Sequence, residues 1–161
     1  MNTPGLTTLL VAAALPVAAE TITFDKDPVG ALPAGWVAGV TGRGAPKWAI
    51  EADGTAPSAP NVLKQSGSGA FPWCVKKDVA LTDGTVEVKF KPISGKEDAA
   101  GGLVWRWKDG DNYYVARANA LEDNVSLTTR RTAAGTPSNT SMLPSRRISG
   151  TACASNSAPS E

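Results

Sequence analysis

Residues 101–119 read GGLVWRWKDGDNYYVARAN. Two runs of alternating character flank Lys108-Asp109-Gly110-Asp111-Asn112, and Asp, Gly and Asn tolerate the left-handed backbone that tight hairpin loops demand. The reading is an antiparallel pair, Gly101 to Lys108 against Tyr113 to Asn119. Alternation places Leu103, Trp105 and Trp107 on one face of the first strand and Val104 and Arg106 on the other. In the second strand Tyr113, Val115, Arg117 and Asn119 oppose Tyr114, Ala116 and Ala118. Aromatic rings and guanidinium groups thus fall within cross-strand reach, the raw material of a sugar platform. Rings stack on pyranose faces, and guanidinium N–H groups donate to hydroxyls. The candidate carbohydrate-binding residues are Trp105, Arg106, Trp107, Tyr113, Tyr114, Arg117 and Asn119. The same rings would also serve to fill a sandwich core. Because one strand face alone can line a ligand site, about half of the set must belong to packing.

Outward from this hairpin, the text from Glu20 to Leu127 consists of short β-type runs separated by Gly, Pro, Asp and Asn clusters. That spacing suits an antiparallel sandwich or barrel. Expected strands are Thr21 to Phe24, Trp36 to Val40, Trp48 to Ala52, Val62 to Gln65, Trp73 to Leu81 and Thr85 to Lys91. In the last, Val86, Val88 and Phe90 alternate with Glu87, Lys89 and Lys91, so one face should meet a core and the other water. No window keeps an apolar repeat at helical period, so helices should be few.

Composition narrows the chemistry. The chain has 161 residues, a net charge of +1, no His and two Cys. Lacking His, it cannot run a Ser-His-Asp or Cys-His mechanism or build a His-containing zinc site. The near-neutral charge gives no reason to expect nucleic acid as a partner. Asp109, Asp111 and Asn112 resemble the start of a calcium loop but lack the Gly and distal Glu of one, so a hairpin turn is expected and no metal. Gly42 to Gly44 and Gly67 to Gly69 precede no helix start and cannot cradle phosphate. No cofactor is expected. Cys74, in Phe71-Pro72-Trp73-Cys74, reads as a small buried hydrophobe.

Leu6 to Ala19 is almost wholly apolar and too short to span a membrane. Pro16, then small residues at Val17 and Ala19 before Glu20, read as a signal peptide over residues 1–19 with cleavage after Ala19, hence a periplasmic or secreted protein.

The stretches FDKDPVGALPAGW from Phe24, APKWAIEAD from Ala45, NVLKQ from Asn61, FPWCVKKDV from Phe71, VEVKFKPISGKED from Val86 and the hairpin run through NALEDNVSL carry a resemblance. Together they resemble exported bacterial proteins of the concanavalin A-like lectin/glucanase superfamily, near its laminin-G-like and 3-keto-disaccharide hydrolase domains. The resemblance covers Thr21 to Leu127 and implies an all-β, two-sheet jelly roll whose concave face receives carbohydrate. Retaining glucanases of that superfamily carry Glu-x-Asp-x-x-Glu on one strand, since nucleophile and acid must stand about 5 Å apart. This chain lacks it. Glu87 stands alone between Val86 and Val88, and Glu97-Asp98 lies in an expected loop. Three functions follow: a carbohydrate-binding module, a glycoside hydrolase acting on 3-keto-disaccharides, or an interaction module without a sugar site.

Beyond Leu127 the composition changes. Residues 128–161 contain no aromatic side chain, and 13 of the 34 are Ser or Thr, with Arg pairs at Arg130-Arg131 and Arg146-Arg147. Read as written, this is a disordered tail that leaves the sandwich incomplete. Read one base out of register, suitable codons give YTADSGRHTIKYVDAPVAANQWHGLRVEF across Thr128 to Ser157, with the strand patterns HTIKYV and LRVEF. Loss of one T from CTC TAC TAC ACG after Ser126 produces the observed Leu-Thr-Thr-Arg. The expectation is a single-base deletion in the codon after Leu127. On that reading Cys153 and the Arg pairs are by-products, and a Cys74–Cys153 disulfide is not expected.

Overall fold

The computed structural model describes residues 19–81 and 84–130, together with the backbone of 139–144 and 151–156. These residues form an all-β protein with antiparallel pairing throughout and no helix. The strands are β1 Trp36–Ala45, β2 Trp48–Ala52, β3 Asn61–Gln65, β4 Ser68–Lys76, β5 Gly84–Lys89, β6 Ala100–Asp109, β7 Asn112–Asn119, β8 Asn124–Arg130, β9 Asn139–Pro144 and β10 Thr151–Asn156. They pair as β1-β4, β2-β3, β5-β10 and a four-stranded sheet β6-β7-β8-β9. The proposed signal peptide lies outside the described residues, apart from Ala19. Among the described residues no helix is long and apolar enough to cross a membrane.

Several expectations change on contact with the fold. Thr21 to Phe24 is not a strand. Phe24 has φ 64° and lays its ring 5.6 Å from that of Trp36, while Asn61 Nδ2 donates to its carbonyl at 3.2 Å, so the segment is held by contacts rather than a ladder. The strand expected over Trp73 to Leu81 instead starts at Ser68 and stops at Lys76. Asp78, at φ 59°, turns the chain away and leaves Val79 and Leu81 outside any strand. Val86 is 39% exposed although its alternation assigns it to a core face. The tail is corrected as well. β8 continues past Leu127 to Arg130, and 139–144 and 151–156 are strands rather than disordered chain. Ladder pairing with the edges of β8 and β5 is made by backbone N–H and C=O groups, which a Ser- and Thr-rich chain supplies as well as any other.

The β1-β4 pair packs against the tip of the β6-β7 hairpin. The Trp73 ring of β4 lies over Gly39 of β1, where an added Cβ would stand 2.5 Å from the indole, and its other neighbours are Gly110 and Trp107. Thr41 of β1 donates its hydroxyl to the Gly110 carbonyl and lies 2.9 Å from the Tyr113 hydroxyl. Elsewhere β2 is tied to the preceding loop by Ile50, which donates to the Ala31 carbonyl at 2.9 Å and accepts from Gly30 N–H at 2.8 Å. Lys91 clamps the β2-β3 connection through Asp53 Oδ2 at 2.7 Å and Thr55 Oγ1 at 2.9 Å. The hydrogen bonds from Lys91 and Thr55 hold the Asp53 carboxyl far below the usual carboxylate range. Among the described residues the buried apolar set is small: Ala49, Ile50, Val75, Ala99, Tyr113 and Ala118. Ile50 alone of the large aliphatics is fully enclosed, at 0% exposure. Ile50→Ala is therefore expected to cost about 3 kcal/mol in urea unfolding, the transfer term plus the cavity left behind.

Candidate functional site: an aromatic stack on the hairpin

The hairpin register assigns each candidate residue to a face, because residues paired directly across antiparallel strands project to the same side. Trp105 pairs with Tyr114, which pairs with Thr129, and Leu103 pairs with Ala116, which pairs with Leu127. On the opposite side Tyr113 pairs with Arg130, Arg117 with Ser126 and Asn119 with Asn124. The seven candidates are thus divided between two environments.

On the first face the Trp105 and Tyr114 rings stack with centroids 5.8 Å apart and planes at 26°. Both are half-buried, so each offers part of its ring to solvent. Leu127, 48% exposed, extends the apolar floor on the same face. The Arg106 guanidinium carbon lies over the Tyr114 ring, 5.8 Å from its centroid. Its position results from a local irregularity. The β6-β7 register shifts between Trp105 and Asp109, and Arg106 takes φ 48°, in the left-handed region. Such bulges re-aim side chains that strict alternation would send to the far face.

The other four candidates are occupied by the fold. Trp107 packs on Trp73 with centroids 5.4 Å apart at 55°. Tyr113 is 4% exposed, with its hydroxyl against Thr41. Arg117 donates from Nε to Ser126 Oγ at 3.2 Å and from a terminal nitrogen to Asp98 Oδ2 at 3.0 Å. Asn119 is 0% exposed, donates to Asp98 Oδ1 at 2.5 Å and accepts from the N–H groups of Ala99 at 3.2 Å and Leu121 at 3.1 Å. Asp98 is the residue the sequence reading passed over. It lies 19 positions from Arg117 and 21 from Asn119, and no local pattern announces that a loop carboxylate will join them. Arg130, expected in a disordered basic tail, ends β8 with its guanidinium carbon 3.5 Å from the Phe71 ring centroid, a cation–π contact.

The hairpin tip behaves as a turn. Asp109 Oδ1 accepts from Asp111 N–H at 2.9 Å and from Asn112 Nδ2 at 2.8 Å, and those bonds hold its carboxyl below the ordinary Asp value. Among the described residues no group of three or more Cys, Asp or Glu side chains is arranged to hold a cation. Cys74 is a free thiol whose burial pushes its pKa up to about 12. Thiolate is the reactive form. Iodoacetamide at pH 8 should therefore leave Cys74 unmodified in the native state and label it once denaturant is added, read by peptide mapping. Rapid native labelling would contradict the burial.

Comparison with family models, with curated proteins and with solved structures returns no match.

Proposed function

We propose that this chain is an exported carbohydrate-binding module on a lectin-like β-sandwich, with the Trp105–Tyr114 stack as its sugar platform. The observation that carries the reading is two partly exposed rings lying nearly parallel at 5.8 Å on one sheet face, with an exposed guanidinium over one of them. A pyranose ring has an apolar face that such rings cover and equatorial hydroxyls that a guanidinium can reach. A glycan array followed by titration of the retained sugars tests it. Trp105→Ala should weaken binding about thirtyfold, the 2 kcal/mol scale of an aromatic anchor. Retention of no glycan, or binding indifferent to Trp105→Ala, would refute it.

The proposal includes a defect. The segment after Leu127 is read out of frame, so the sandwich lacks the apolar side chains that should complete it. Two observations support this. Val86 is 39% exposed on the strand whose alternation calls for a covered face. And LRVEF, in the shifted reading, falls on the codons of residues 152–157, which nearly coincide with β10 at Thr151–Asn156, the partner of β5.

A further inference from the structure

We infer that the ligand is an acidic sugar, a pyranose whose ring lies on the Trp105–Tyr114 stack while its carboxylate is gripped by the Arg106 guanidinium. This rests on the carbohydrate reading and narrows it to a substrate class.

The first ground is the backbone. Arg106 occupies left-handed space at φ 48° inside a strand, at the point where the β6-β7 ladder shifts register. Residues other than Gly rarely adopt that conformation, and the strain concentrates where a side chain must be aimed. What is aimed here is a guanidinium placed over one of two stacked rings.

The second ground is the state of that guanidinium. Lys64, Lys76, Lys91 and Arg117 are engaged by Glu51, Glu20, Asp53 and Asp98 respectively. Arg106 is exposed, and among the described residues no hydrogen bond or ion pair engages its guanidinium, which lies over the Tyr114 ring. The nearby Asp109 does not engage it, because both its oxygens hold the Asn112 amide and one also holds Asp111 N–H. Among the described residues its N–H donors are therefore uncommitted. The cation–π contact orients the group without using its N–H bonds.

The third ground is chemical. The planar fork of a guanidinium matches a carboxylate through two parallel hydrogen bonds, and the opposite charge of the carboxylate adds attraction that a neutral acceptor lacks. A hydroxyl takes single donors of this group, whereas a uronate takes the fork and satisfies ring and charge together.

Calorimetric titration with short oligomers of galacturonate, glucuronate and mannuronate, each beside its methyl ester, tests the inference, since the ester keeps the ring and removes the charge. At least one acid should bind about tenfold or more tighter than its ester, with the margin shrinking as salt is raised. Arg106→Gln should abolish the margin by weakening the acid more than its ester. Arg106→Asn, which suits the left-handed backbone, should do the same, so that loss of charge is separated from loss of fold. Equal affinity for acids and esters, still sensitive to Trp105→Ala, overturns the acidic-sugar inference and leaves the carbohydrate reading standing. Binding to no acid, ester or neutral oligosaccharide overturns both.

Discussion

Restoring one thymine in the codon after Leu127 is expected to raise the melting temperature of this protein by at least about 10 °C, followed by circular dichroism. The reason lies in β5. Its sequence, with Val86 and Val88 alternating against Thr85, Glu87 and Lys89, specifies a strand with one dry face, yet Val86 is 39% exposed, and Val79 and Leu81 just before it are 59% and 40% exposed. The strand that pairs with β5 reads TACASN, which contains no large apolar residue. In the shifted frame the same stretch reads LRVEF. Its Leu, Val and Phe alternate with Arg and Glu, so one register sets Leu and Val across from the two valines and Arg across from Glu87. Each fully covered aliphatic side chain is worth about 1.5–3 kcal/mol, so two or three such side chains are enough for the expected shift. A neighbouring ladder is affected too, since residues 139–144 pair with β8 and the shifted HTIKYV falls on codons 135–141. Unchanged or lowered melting of the restored chain, or a genomic sequence whose shifted frame closes at an early stop, would refute the proposed deletion.

How much of the fold is legible in the sequence depends on the range of the forces involved. The hairpin was legible because its determinants are local: a five-residue turn sequence between runs of period two, which the observed β6 and β7 match to within about a residue at each end. β2 was legible for the same reason. β4 begins before the expected Trp73 because Pro72 sits within the strand opposite Val40, in a two-stranded ladder where a missing N–H is tolerated. Within the candidate site, alternation sorted Tyr113, Arg117 and Asn119 onto a common face, as the register has them. What alternation could not convey is that this face belongs to the fold. Thr41 and Asp98 arrive from 72 and about 20 positions away, and loop carboxylates leave no periodic trace. Nor does the chain around Arg106 advertise its bulge, since the register shift occurs in Trp105-Arg106-Trp107-Lys108-Asp109, which contains neither Gly nor Pro.

Asn119 offers the sharpest separation of a structural residue from a binding one. Asn119→Ala should lower stability by about 3 kcal/mol in urea unfolding without altering sugar specificity. It leaves the Ala99 N–H, on a residue only 8% exposed, without its acceptor and removes three hydrogen bonds from a fully buried site. Asn119→Asp keeps the shape and the two accepted bonds but replaces the amide that donates to Asp98 with a second carboxylate at 2.5 Å. Burial and the Asp98 charge both disfavour ionisation of the introduced group, so its pKa in the folded protein must lie above the value of about 3.9 for an unfolded Asp. A raised folded pKa means that the variant is most nearly native in stability below pH 4, where the introduced carboxyl is protonated and can donate as the amide did. The deficit grows as pH rises through the folded pKa and is complete at neutrality. The expected result is a stability difference between Asn119→Asp and the parent that is small near pH 4 and about 3 kcal/mol at pH 7, while Asn119→Ala shows no such dependence. A pH-independent deficit in Asn119→Asp would mean that Asp98 does not face this side chain. Loss of sugar binding in a folded Asn119→Ala would return Asn119 to the ligand surface from which its burial removes it.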